Sequence, residues 1–308
     1  MAQLRLSIAY PLLLLFRIKN FLRNVVTADE SWFFHHPYPE GPYLPQREPP
    51  PKQSKSDVDQ KKNNCGTPTF LDVFYKGCCT YDPIIVDTIS KNHMEHAVTL
   101  KLFYLQSFKF ISDLPQQVVR RFFAAAKHLR DAVGDIFEIK PERKDLNVCV
   151  HIRRGDFTNS TEALASDDMF TKLAVDYVLR KVKEGDSRPP YTYVMSDDAI
   201  WAKKTLESYE RLRVAIPDAS SPPGVEWEFS RQFCDHVLLT ASVSTYGYWI
   251  GYHSRGQKVY YNRDYTHVGG IEAQLVPADF WPTHWIPIVY DSGQQKVKEH
   301  EYQRRSRS

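Results

Sequence analysis

The sequence predicts an α/β fold built on a doubly wound parallel sheet, and three observations carry that expectation. In Leu146–Ile152, the residues Leu146, Val148, Val150 and Ile152 alternate with Asn147, Cys149 and His151. This short, β-branched apolar run suits a buried strand better than a helix. A helix expected over 167–182, a second strand over 191–195 and a further helix over 199–210 then follow. Strand and helix alternating in this way is the pattern of a parallel sheet with helices laid on its faces. The third observation is the abrupt end of the first strand at Arg153-Arg154-Gly155-Asp156. Open α/β sheets collect ligands outside the carboxyl ends of their strands, and a planar guanidinium fork suits a diphosphate there. The plainer reading of the same pair is solvation, or a bridge to carboxylates.

A chain of 308 residues can bury a substantial core and holds one large or two ordinary domains. A net charge of +3 leaves no global nucleic-acid footprint. The chain has five cysteines, an odd number, without paired C-x-x-C spacing, so no zinc site is expected. Cys149 sits inside the apolar strand and Cys234 before another apolar run, and both read as free, small hydrophobes. Cys65 with Cys78 or Cys79 can bridge in an oxidising lumen. Asn159-Ser160-Thr161 is a glycosylation sequon. Arg154-Gly155-Asp156 spells an adhesion tripeptide, but it abuts a core strand rather than a loop tip.

Taken in order, residues 1–34 open with an apolar run, 6–16, that is too short to span a bilayer, which takes about twenty residues. Arg17, Lys19 and Arg23 follow it, so it reads as a weak anchor or signal. Residues 35–64 are proline-rich and then polar, a linker without a periodic apolar face. The spacing of Val118, Phe122, Ala125, Leu129, Ala132 and Ile136 predicts one long helix over 115–137. Residues 220–224 form a Pro-Gly loop, 237–244 read as a buried strand, 248–253 as a helix start and 259–261 as a short strand. The segment 291–308 is read as a disordered tail.

Three strand ends occur together in a specific order: His151-Ile152-Arg153-Arg154-Gly155-Asp156-Phe157, then Val194-Met195-Ser196-Asp197-Asp198 with Trp201, then Ser244-Thr245-Tyr246-Gly247-Tyr248-Trp249. This series resembles the α1,2-fucosyltransferases, glycosyltransferase family 11, in their H-x-R-R-x-D-[YF], S-[DN]-[DG] and [GS]-T-[FY]-G-x-W motifs. Tyr104–Phe110 and Ala278–Ile286 are similar to two further segments of that family, and the divergence, with Cys78-Cys79 upstream, resembles its invertebrate branch. The likeness runs from Lys101 to Ile288. The family's opening G-x-L-G-N-Q segment has no counterpart in the sequence.

The resemblance implies a GT-B-like architecture: a short or incomplete acceptor-side lobe over 65–140 and a GDP-fucose-binding lobe over 141–290. It implies fucose transfer from GDP-fucose to a galactose hydroxyl with inversion, in the Golgi membrane with a lumenal catalytic domain. The expected partners are GDP-fucose and a β-galactoside-terminated glycan, with no metal cofactor and no nucleic acid; membrane attachment would run through the N-terminus. The alternative is an inactive or truncated relative that keeps GDP-fucose binding. Carried over residue by residue, Arg153 is the β-phosphate contact and Arg154 either assists or braces the turn. His151 either donates to the donor substrate or is structural. Asp156 either orients the arginines or acts as general base. Ser196 is a donor-binding residue, and Asp197 and Asp198 bind the ribose or guanine, or cap the next helix. Ser244, Thr245, Tyr246 and Gly247 offer hydroxyl and backbone donors to phosphate, or form a plain turn. Glu226, Glu228 and Asp235 compete for the family's guanine-facing acidic position.

Overall fold

The computed structural model describes residues 69–75, 79–85, 87, 96–102, 106–112, 116–137, 141–142, 144–209, 211–214 and 224–300. The expectations for 1–64 lie outside them, as do Cys65 and Cys78. Contacts divide the chain into two units, Met1–Ile111 and Ser112–Ser308. In the first unit, β1 (Thr69–Tyr75) and β2 (His96–Leu102) form a parallel pair in the register Thr69↔His96 to Tyr75↔Leu102.

The second unit carries a seven-stranded sheet. Its strands are β3 (Asn147–Ile152), β4 (Tyr191–Ser196), β5 (Leu212–Val214), β6 (His236–Leu239), β7 (Lys258–Asn262), β8 (Ile286–Asp291) and β9 (Lys296–Glu299). Their order is β5-β4-β3-β6-β7-β8-β9, parallel throughout except for the antiparallel β8–β9 pair. The six parallel strands follow the 3-2-1-4-5-6 order of dinucleotide-binding sheets, with the strand order reversing between β3 and β6, the place where such sheets take their ligands. The doubly wound α/β expectation is thus met.

Every residue of β3 is buried because successive side chains point to opposite faces of the sheet and helices cover both. Leu146, Val148, Val150 and Ile152 pack on α3 (Asp168–Gly185) through Phe170, Ala174, Val178 and Val182. Asp167 caps that helix, its carboxylate accepting from Phe170 N at 2.8 Å. The opposite face carries α5 (Val225–Phe233) and α6 (Thr245–His253). There Phe229 meets Tyr193 at 5.2 Å and Phe137 at 4.6 Å between ring centroids.

Three expectations are corrected. The single helix over 115–137 is two, α1 (Gln116–Phe122) and α2 (Lys127–Ala132), followed by a 3₁₀ turn, Val133–Asp135. No Gly or Pro marks the break; tertiary packing makes it, for Phe123 turns onto Trp249 at 4.9 Å while Phe137 packs on Tyr193 and Phe229. Cys149 and Cys234 are not free thiols but form a disulfide, Cα atoms 5.6 Å apart, that ties β3 to the end of α5. Residues 291–300 are not tail: β9 pairs with β8, and Val297 joins the core.

Candidate functional site

The carboxyl ends of β3, β4 and β6 bring the three motifs together, and a network of hydroxyl groups fixes the first of them. Ser166 Oγ accepts from Arg153 N at 3.0 Å and lies 2.6 Å from Thr240 Oγ1, which donates to the His151 carbonyl at 2.8 Å. Satisfying these buried groups holds the strand end rigid. Neither Ser166 nor Thr240 stands out in the sequence as part of the site.

His151 points to the α5–α6 face and is 3% exposed. Burial, with the Arg153 charge second, pushes its pKa down to about 3, so the ring is neutral at working pH. Its Nε2 lies 3.1 Å from Ser244 Oγ, and that hydroxyl accepts from Gly247 N at 3.2 Å as the N-cap of α6. Imidazole and helix start are therefore one unit. Tyr246, in the first turn, lies 6.1 Å from the His151 ring and 5.1 Å from that of Trp227, whose Nε1 donates to the Tyr246 carbonyl at 3.1 Å.

Arg153 is clamped between two carboxylates. Its Nε and Nη2 reach Asp156 Oδ1 at 3.0 and 2.8 Å, and Nη1 reaches Asp197 Oδ2 at 3.2 Å. The Arg153 side chain keeps 31% exposure and that of Asp156 68%, so the fork faces solvent on the Asp156 side. Asp197 also accepts from Arg154 N at 2.8 Å. A Cβ on Gly155 would lie 2.5 Å from Asp197 Oδ2, so glycine is what lets the carboxylate pack against this turn.

Arg154 diverges from Arg153. Its guanidinium lies 4.3 Å from the Trp201 ring centroid, donates to the Ser166 carbonyl at 2.8 Å and stands 3.6 Å from Asp198. Asp198 caps α4 (Ala199–Thr205) by accepting from Trp201 N at 3.0 Å, and Ser196 Oγ accepts from Asp198 N at 3.0 Å. Asn159 is exposed at the end of the 3₁₀ turn Gly155–Asn159.

The three competing acids separate by environment. Glu228 is buried against Arg231 and Gln232. Asp235 pairs with Arg255 at 2.6 Å and accepts from Asn147 N at the amino end of β3. Glu226 alone joins the site, beside the Tyr246 side chain, where burial raises its carboxyl to about 7, with the nearby Asp197 charge adding to the rise. Burial also lifts Tyr246 well above the usual phenol range. Sequence could not choose among these three, because only tertiary packing decides which is paired off.

A sheet in this order, with a guanidinium and a helix N-terminus at its reversal point, is the arrangement of a nucleotide-binding α/β domain. The family model of glycosyl transferase family 11 matches residues 94–267, and the chain belongs to that family. Two Caenorhabditis elegans proteins named galactoside 2-alpha-L-fucosyltransferase are similar to it. One is 31% identical over 186 residues, 59% of this chain and 50% of its own length, and the other 28% over 236 residues, 70% and 58%. A further relative from that organism is 33% identical over 236 residues, 71% of this chain and 59% of its own. The chain thus spans between half and three-fifths of the curated relatives it matches. The solved structure of NodZ alpha-1,6-fucosyltransferase soaked with GDP-fucose aligns over 70% of this chain and 63% of its own with a TM-score of 0.33 and 14% identity, too distant a likeness to carry a conclusion.

Proposed function

We propose that this chain carries the donor-binding machinery of a galactoside 2-alpha-L-fucosyltransferase, transferring fucose from GDP-fucose to a galactose hydroxyl with inversion. The observation that carries the reading is that the carboxyl ends of β3, β4 and β6 bring together Arg153, the N-terminus of α6 and, beside Tyr246, the Glu226 carboxyl. In this reading the diphosphate displaces the exposed Asp156 carboxylate from the Arg153 fork, an exchange that costs little because exposed ion pairs contribute only about 0–1 kcal/mol. The first turn of α6, capped by Ser244, offers its backbone N–H groups to the same phosphates. Ionised Glu226 accepts from the guanine N–H groups.

In the transfer, the acceptor oxygen bonds to the fucose anomeric carbon from the face opposite GDP. The bond from that carbon to the β-phosphate oxygen breaks, and its electron pair leaves with GDP, where Arg153 meets the growing charge. The hydroxyl proton passes to a carboxylate, a role assigned here to Asp156 once the donor has freed it. Charge neutralisation falls to Arg153 and α6 rather than to a metal. Arg154, turned to Trp201, braces the loop.

The Cys149–Cys234 disulfide supports an oxidising compartment, consistent with a lumenal, Golgi-resident domain, and Asn159 is open to glycosylation there. A β-galactoside-terminated glycan is the proposed acceptor. The full chain is expected to release GDP from GDP-fucose faster when a β-galactoside is added; no acceleration across a panel of galactosides would leave GDP-fucose binding without turnover. That second reading has one observation in its favour: two carboxylates already compensate Arg153.

A further inference from the structure

A second concave site lies at the opposite rim of the sheet. It is a groove of about 750 Å³ where β4 begins, walled by α3, by the turn before β5 and by the β8–β9 hairpin. Its distinctive feature is uncompensated positive charge. Arg180, Lys183, Arg211 and Lys296 line it against a single carboxylate, Asp176. None of the four cations forms an ion pair with a described residue, although Lys172 on α3 pairs with Asp168 and Lys298 on β9 with Asp291. Asp176 is itself occupied, accepting from the Tyr209 hydroxyl at 2.8 Å.

Two of the walls are also held in a costly backbone shape. Arg211 has φ +57° and Gln295 φ +48°, both in the left-handed region that non-glycine residues seldom adopt. Such conformations cluster at ligand-binding positions. Arg180 and Lys183 stand three residues apart on α3, hence on one face of the helix.

We infer that this groove is a binding site for an anionic oligosaccharide, sulfated or carboxylated, separate from the site at Arg153. Cations set on three different elements around one hollow fit a chain that carries several negative charges along its length. A planar bilayer fits less well, because among the described residues none of the exposed large apolar side chains, Ile84, Met169, Ile200, Val268 and Val276, lines the groove to enter lipid.

The test is calorimetry of the full chain with a size-defined heparin oligosaccharide, alongside the double variant Arg180→Glu/Lys183→Glu and the control Lys203→Glu/Lys204→Glu on exposed α4. The inference expects the native chain to bind, the groove variant to bind about tenfold more weakly or worse, and the control to match the native chain. GDP affinity should be equal in all three, which certifies folding. No heparin binding by the native chain, an equal loss in the control, or full binding by the groove variant would overturn it. So would tighter binding of a polyglutamate peptide or of phosphatidylserine vesicles than of heparin at the same salt.

Discussion

Gly247 and His151 touch: a Cβ added to the glycine would lie 2.2 Å from Cδ2 of the imidazole. The first turn of α6 therefore rests directly on the ring that ends β3, with Ser244 hydrogen-bonded between them. Strand, cap and helix start form one piece, and that piece sets where the N-terminus of α6 lies.

Gly247→Ala should push α6 off the ring. Overpacking of this kind costs about 1–3 kcal/mol, read as a drop in the urea midpoint, and GDP should bind more weakly. A variant with native stability and native GDP affinity would show that the contact does not set the helix position.

Protonation gives a second set of expectations. His151 and His253 are each pushed down by burial from 6.5 to about 3. Between those values the unfolded chain binds more protons on the two rings than the folded chain. Their contribution to stability is present above pH 6.5 and is lost as the pH falls toward 3.

Glu226 acts in the opposite sense, because its carboxyl rises from 4.5 to about 7. Its contribution is full below pH 4.5 and disappears as the pH climbs to about 7. Urea melts of Glu226→Gln and the native chain should therefore diverge with rising pH, the variant gaining between pH 5 and pH 8. GDP affinity of the native chain should rise through about pH 7, as the carboxylate ionises, and that of the variant should not. A constant offset in both measurements would remove Glu226 from the account.

The cross-link between β3 and the end of α5 closes a loop across a sequence separation of 85. Losing a native disulfide costs about 2–5 kcal/mol, so Cys149→Ser/Cys234→Ser should lower the urea midpoint by a matching amount. A non-reduced digest should yield the joined Cys149 and Cys234 peptides. Alkylation of both thiols without reductant would contradict the pairing.

Much of this was legible in the residues, and the failures have physical causes. The alternation over Leu146–Ile152 revealed β3, because a strand buried on both sides needs apolar or small side chains on each face. Within the same run Cys149 reads as a free thiol, since a buried thiol and a buried disulfide look alike to hydrophobicity and only the partner 85 residues on distinguishes them. The apolar repeat over 115–137 was real, but periodicity does not register a break imposed by Phe123 seeking Trp249. Lys296–Glu299 looked like tail because its one apolar residue, Val297, is flanked by charges that suit an edge strand equally well. Arg153 and Asp197 could be named from their motifs; that they bind each other across the ends of β3 and β4 could not.

The central claim is that Arg153 holds the donor diphosphate, and calorimetry of GDP-fucose with the native chain and with Arg153→Ala tests it most directly. Losing hydrogen bonds to a charged group costs about 1.5–3 kcal/mol, so the variant should bind at least tenfold more weakly while its urea midpoint stays near native. Equal affinity in the two proteins would contradict the account.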